Sequence, residues 1–247
     1  MKRSIAITYS WMIASSILLV SCRLGTTCCE PTPVPIPVAN NTTTITSTGP
    51  GVFRLKIKPD STTGKDTYVT MGVYGDNNNY TLTGYFSAEA WTYSGGDQVF
   101  RALIDFDLSA VPAGASISKA TMTLYADTTT AYFGSASLPT GHSNLTGSND
   151  WIVRRINSAW NDNTVTWNTQ PATDNSHVIN MPASTSRDQK YDVDVTAFIK
   201  DQVANPSLYH GFMMSLSNES KYRCIIFYSS RCIYPAFYPE LNITYTK

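Results

Sequence analysis

At 247 residues, with 18 Lys and Arg against 18 Asp and Glu, the chain carries a formal net charge of zero. A general nucleic-acid binder needs a basic excess, so nucleic acid is excluded as an expected partner. Thr, Ser, Asn and Tyr are abundant and helix formers are concentrated nowhere, which predicts an extracellular β protein.

The N-terminus has the layout of an export signal over residues 1–21. Lys2 and Arg3 precede an apolar run, Ile5 to Ile7 and Trp11 to Val20, that ends in Leu19-Val20-Ser21-Cys22. Thr8, Tyr9, Ser10, Ser15 and Ser16 interrupt the run, leaving it short of the ~20 apolar residues of a spanning helix. Leu-Val-Ser-Cys fits the bacterial lipobox, in which the thiol after small residues takes the lipid and becomes the mature N-terminus. Cys22 is therefore the expected lipidation site, and the expected address is the bacterial outer membrane or cell surface, through a lipid anchor in the membrane. Residues 22–50 read as a tether. Pro31, Pro33, Pro35 and Pro37 favour extended polyproline II, and the Thr- and Ser-rich tract after them has little apolar content. Cys28 and Cys29 fall in this tether without an assignable role.

Residues 51–247 read as one folded domain of short strands divided by turn residues. Phe53 to Lys58 alternates, with Phe53, Leu55 and Ile57 on one face, and Pro59-Asp60 ends it. Asp66–Thr70, Thr81–Phe86 and Val99–Phe106 follow as strands, and Lys119–Tyr125 sets Met122 and Leu124 opposite Thr121 and Thr123. Thr196 to Ala204 predicts a short helix with Thr196 as its cap and Phe198, Ile199 and Val203 on one side. Gly211–Leu216, Cys224–Tyr228 and Glu240–Thr246 close the chain as strands. About ten strands and one minor helix predict an all-β sandwich of two sheets.

Several stretches together resemble the DNRLRE (disaggregatase-related) domain family. They are Lys56–Asp60 with Gly64–Val69, Arg101–Ala115 with Ala120–Tyr125, Trp160–Pro171, Asp194-Val195-Thr196 and Pro239–Tyr245. The resemblance runs from Phe53 to Tyr245 and implies a jelly-roll β-sandwich of surface or secreted proteins, some of them similar to carbohydrate-binding modules. It also makes Trp160 and Trp167 part of a structural signature. On this reading the expected partner is polysaccharide, bound without catalysis; the alternative is a structural or adhesive envelope protein that engages proteins or itself.

Trp91, Tyr85 and Tyr93, with Tyr74 and Tyr80, stand in Gly- and Asn-rich surroundings outside that signature and are expected as stacking platforms for sugar rings. Arg154 and Arg155 are adjacent, so a strand sends them to opposite faces, and Arg154 is taken as a ligand-binding candidate. Asp60 and Asp66 are candidate oxygen ligands for a structural calcium ion; the other reading has such aspartates capping turns and pairing with basic side chains. Cys224 and Cys232 are a disulfide candidate, and equally suited to be buried free thiols. No G-x-S-x-G or H-E-x-x-H motif is present, and no residue combination suggests a catalytic triad.

Overall fold

In the computed structural model the described residues are 42–73, 75–129 and 140–247, all within one compact unit spanning Pro37–Lys247. Cys22, Cys28, Cys29 and Tyr74 lie outside the described residues.

Two antiparallel sheets form the body. The first has five strands in the order β1 (Thr42–Gly49), β2 (Val52–Lys58), β13 (Glu240–Thr246), β6 (Ser116–Leu124) and β10 (Tyr191–Asp194). The second follows the path β7 (Ser143–Asn144), β12 (Arg223–Tyr228), β4 (Tyr85–Tyr93), β5 (Gly96–Asp105), β11 (Phe212–Leu216), β8 (Trp151–Ile156) and β9 (Thr173–Met181), with β3 (Lys65–Gly72) also paired to β5. The expected all-β sandwich with one short helix is what the chain forms.

Period-two patterning explains the first sheet. Leu55 and Ile57 on β2 and Leu241, Ile243 and Tyr245 on β13 are buried, while Arg54, Lys56, Asn242 and Thr244 alternate with them on the outer face. β6 joins the pattern through a register shift opposite Thr244 and Tyr245. The extra residue in β6, Ser118, lets Ile117 and Ala120 both turn inward.

The stretch expected as tether up to residue 50 contains a strand. Thr42 to Gly49 pairs along the whole of β2 as an edge strand. β1 stays exposed over Thr42–Thr48; ladder hydrogen bonds to β2 and β-branched side chains, rather than burial, account for it. The expected strand at Thr81–Phe86 is displaced: Thr81–Gly84 is a turn and β4 begins at Tyr85.

The helix, α1 (Thr196–Ala204), has the predicted bounds and buries Phe198 and Ile199. Thr196 is not its cap. Val195 holds that position without a side-chain bond, and Thr196 Oγ1 instead accepts from the Ala120 amide at 2.9 Å, tying α1 to β6.

The main core fills the space between the sheets around the fully buried Trp151, which meets Tyr191 at 5.2 Å and Phe227 at 5.5 Å. Leu103 alternates with Ala102 and Ile104 of that core, so it faces the other side of its sheet. There it joins Val69, Ile156, Val165 and Met213 in a second cluster covered by Trp160 and Trp167. The two signature tryptophans thus pack structurally, as the resemblance implied.

Candidate functional site

β3, β4 and β5 build a cavity from three registered rows. Across β3 and β5, Thr70 stands opposite Phe100 and Tyr68 opposite Ala102. β4 places Glu89 opposite Phe100, Trp91 opposite Gln98 and Tyr93 opposite Gly96. Directly opposed residues share a sheet face, and β3 and β5 carry Tyr68, Thr70, Gln98 and Phe100 into the wall of a cavity of about 490 Å³. Tyr80, Tyr85, Tyr93 and Ser94 complete the lining.

Tyrosines dominate this wall. Tyr80 lies on Tyr68 with ring centroids 4.5 Å apart and planes 20° apart. Tyr85 lies against the same ring at 5.5 Å and 23°, its hydroxyl 3.4 Å from that of Tyr68. Burial raises the phenol pKa of both Tyr68 and Tyr85, so each keeps its proton and can donate or accept a hydrogen bond.

Local sequence explains the placement. Asn79 Nδ2 donates to the Asp162 and Val165 carbonyls at 2.6 and 2.8 Å, pinning the Tyr80 loop to the tryptophan-rich segment. Thr83 Oγ1 donates to the Tyr80 carbonyl at 2.8 Å. Gly72 has φ +125°, and a Cβ there would sit 2.1 Å from the Asp97 carbonyl oxygen, so glycine is required where the chain leaves β3. Ser94 and Gly95 are both left-handed, which makes the tight turn after Tyr93. With its amide nitrogen directed at the Met71 carbonyl and Thr70 Oγ1, Gln98 accepts from the Val73 amide at 2.9 Å.

Glu89 was not singled out from sequence. It is 3% exposed, and burial pushes its carboxyl up to about 8, with only the Ser87 hydroxyl opposing the shift. Glu89 Oε1 has no hydrogen-bond partner among the described residues. A neutral acid therefore lies in the Phe100 row at neutral pH.

Three of the predicted platforms, Tyr80, Tyr85 and Tyr93, line the cavity. Trp91 does not offer an open face. It is 3% exposed, with Tyr222 edge-on to its ring at 5.3 Å and 86°. Tyr68 was read only as a strand residue; its ring becomes part of a site when a distant loop delivers Tyr80.

Arg154 lies in a different groove, of about 400 Å³, with Arg101, Asn175, Ser215 and Glu219. It donates to Ser215 Oγ at 3.2 Å, and burial, followed by the nearby Arg101, lowers its pKa. Arg101 forks onto Glu219 at 2.8 and 3.1 Å and rests over Trp167 at 4.5 Å. Arg155 turns the other way, to Asp174 at 2.6 Å and to Asp201.

The two calcium candidates have protein partners. Asp60 Oδ1 accepts from the Thr62 and Thr63 amides at 3.0 and 3.2 Å, an Asx-type turn. Asp66 accepts from the Ser230 amide at 3.1 Å and faces Arg231 at 3.6 Å. Among the described residues no group of three or more His, Cys, Asp or Glu could hold a metal ion. Cys224 and Cys232, the disulfide candidate, are not bridged to each other. Cys224 packs with Ile226, whereas Cys232 packs in a separate cluster with Tyr228 and Tyr238 and donates to the Tyr234 carbonyl at 3.3 Å.

An all-β sandwich with an open, tyrosine-walled cavity defines a binding module. The family model of carbohydrate-binding module family 96 matches residues 58–244, and the chain belongs to that family. The match covers most of the stretch from Phe53 to Tyr245 that the sequence reading assigned to one family. A comparison with curated proteins gave no match.

Proposed function

We propose that this protein is a non-catalytic binder of polysaccharide, held at the bacterial cell surface by a lipid on Cys22, and that it takes sugar rings in the tyrosine cavity. The observation that carries the reading is the stack of Tyr80 on Tyr68 beside Tyr85. Pyranose rings have apolar C–H faces that lie well against aromatic rings, and the rims of the tyrosines supply hydroxyls for the sugar's own. Membership of a carbohydrate-binding module family supports the ligand class. Affinity electrophoresis through gels containing soluble polysaccharides tests it. Retardation by at least one polysaccharide, lost in Tyr80→Ala, is expected; equal retardation of both proteins overturns the cavity as the contact.

The address rests on the lipobox at Leu19–Cys22 and the Pro-rich stretch behind it, with support from the resemblance to a family of surface and secreted proteins. A tether suits a binder that must reach past the bilayer. Metabolic labelling with a fatty-acid analogue should mark the wild-type chain and spare Cys22→Ser; equal labelling of both rules out the anchor.

A further inference from the structure

Every described residue in the wall of the tyrosine cavity is uncharged, and the polar groups there are phenols, the Thr70 and Ser94 hydroxyls and the Gln98 amide. The acidic groups that bear on this wall are carboxyls on neighbouring elements. Glu89 acts on the phenols of both Tyr68 and Tyr85, and Asp127 acts on that of Tyr85. Asp76 adds a third carboxyl at the Gln98 end: its Oδ1 accepts from the Gly72 amide at 2.9 Å, and Gly72 stands opposite Gln98.

Cations close to these residues in the chain are turned away or already matched. Arg101 follows Phe100 on β5, so alternation sends it to the opposite face of the sheet, where it forks onto Glu219. Lys221 pairs at 2.7 Å with Asp97, the neighbour of Gln98. Thr81, next to Tyr80, donates to the Asp162 carboxyl at 3.1 Å, and Arg231 holds that same carboxyl at 2.6 Å. A sugar carboxylate entering the cavity would give up its water and meet no cation in exchange, which is costly. A sugar hydroxyl is better served. The Tyr68 and Tyr85 hydroxyls, 3.4 Å apart, use one proton between them and leave the other free to donate.

We propose that the tyrosine cavity selects sugar units bearing only hydroxyls and turns away uronic acids, so that its ligand is a neutral polysaccharide. The inference rests on the carbohydrate reading of the cavity and narrows its substrate class. Stacking alone does not discriminate, because a hexose and its uronic acid offer the same apolar C–H faces to an aromatic ring. The difference lies at C6, where a carboxylate replaces a hydroxymethyl group, and the penalty for leaving that charge unmatched sets the preference. Arg101 and Arg154, which could meet a carboxylate, line a different groove.

Titration calorimetry on the purified full chain at neutral pH tests the selection with pairs of hexasaccharides that differ only at C6: β-1,4-glucan and β-1,4-glucuronan, β-1,4-mannan and β-1,4-mannuronan, α-1,4-galactan and α-1,4-galacturonan. In the pair that binds, the neutral member should bind about a hundredfold more tightly than its acid. Tyr80→Ala should weaken the neutral member. Ser94→Arg, which places a cation on the exposed rim of the cavity, should narrow the gap about tenfold by strengthening the acid. Acid binding that Tyr80→Ala leaves intact, while neutral binding is lost, lies outside the cavity and supports the selection. An acid that binds as tightly as its neutral partner and is weakened by Tyr80→Ala overturns the selection and leaves the cavity standing as the contact. A gap unchanged in Ser94→Arg overturns charge as its cause. Failure of all three pairs to bind the wild type removes the cavity reading, and the selection with it.

Discussion

Tyr68 on β3 and Tyr80 in the loop before β4 stack at 4.5 Å, and this pair joins a buried strand residue to a half-exposed loop residue. Tyr68 supplies the fixed base and Tyr80 the surface open to a ligand. Tyr80→Ala should therefore lower glycan affinity about tenfold, the scale of one aromatic contact, while shifting the melting temperature only slightly. Calorimetry paired with thermal unfolding separates the two effects.

Glu89 makes stability fall as pH rises from mildly acidic to about pH 8. Burial raises its folded-state value to about 8 from the ordinary 4.5, so as pH rises the unfolded chain releases this proton first. The favourable term is complete below about pH 4.5 and disappears by about pH 8, a change of the order of 3–5 kcal/mol. We predict that Glu89→Gln removes this slope. In urea unfolding the variant should gain on the wild type between pH 5 and pH 8, and a constant difference across that range would refute the prediction.

His142 acts in the opposite direction. The ring is buried, Nδ1 accepts from the Ile226 amide at 3.1 Å, and Nε2 therefore donates to the Gln189 carbonyl at 2.9 Å. Burial lowers its value to about 4 from 6.5. The unfolded chain takes up the proton first as pH falls, so stability is lost from about pH 6.5 down to pH 4, by about 3 kcal/mol. His142→Gln should show a shallower loss over that window in denaturant midpoints.

The two groove arginines should separate binding from stability. Arg154 is remote from the tyrosine wall in its lining and partners, so Arg154→Ala should leave glycan affinity within about twofold. Arg101→Ala should instead cost about 1–3 kcal/mol of folding free energy, because it deletes the fork onto Glu219 and the stack over Trp167. Calorimetric binding and melting curves on both variants give the comparison.

Much of the fold was legible where burial is one-sided. Phe53–Lys58 and Lys119–Tyr125 alternate because one face meets the core, and Phe198 with Ile199 marks the helix for the same reason. β1 was not legible, because Thr42–Gly49 has no buried face and depends on pairing with β2. Trp91 looked like a platform from its neighbours in sequence, and is covered by Tyr222 from the far end of the chain. Tyr85 and Tyr93 could be picked out by residue type and surroundings. Tyr68 and Glu89 could not, since their roles come from cross-strand rows and from a loop folded back over β3. Spacing also does not show that Cys224 and Cys232 belong to separate packing clusters.

The most direct test of the tyrosine cavity is a glycan titration of the ¹³C-tyrosine-labelled chain followed by NMR, with each ring signal assigned by single Tyr→Phe substitution. The account predicts that the ring signals of Tyr68, Tyr80, Tyr85 and Tyr93 shift together and saturate with the calorimetric affinity. Saturable binding that leaves those four signals in place would contradict it.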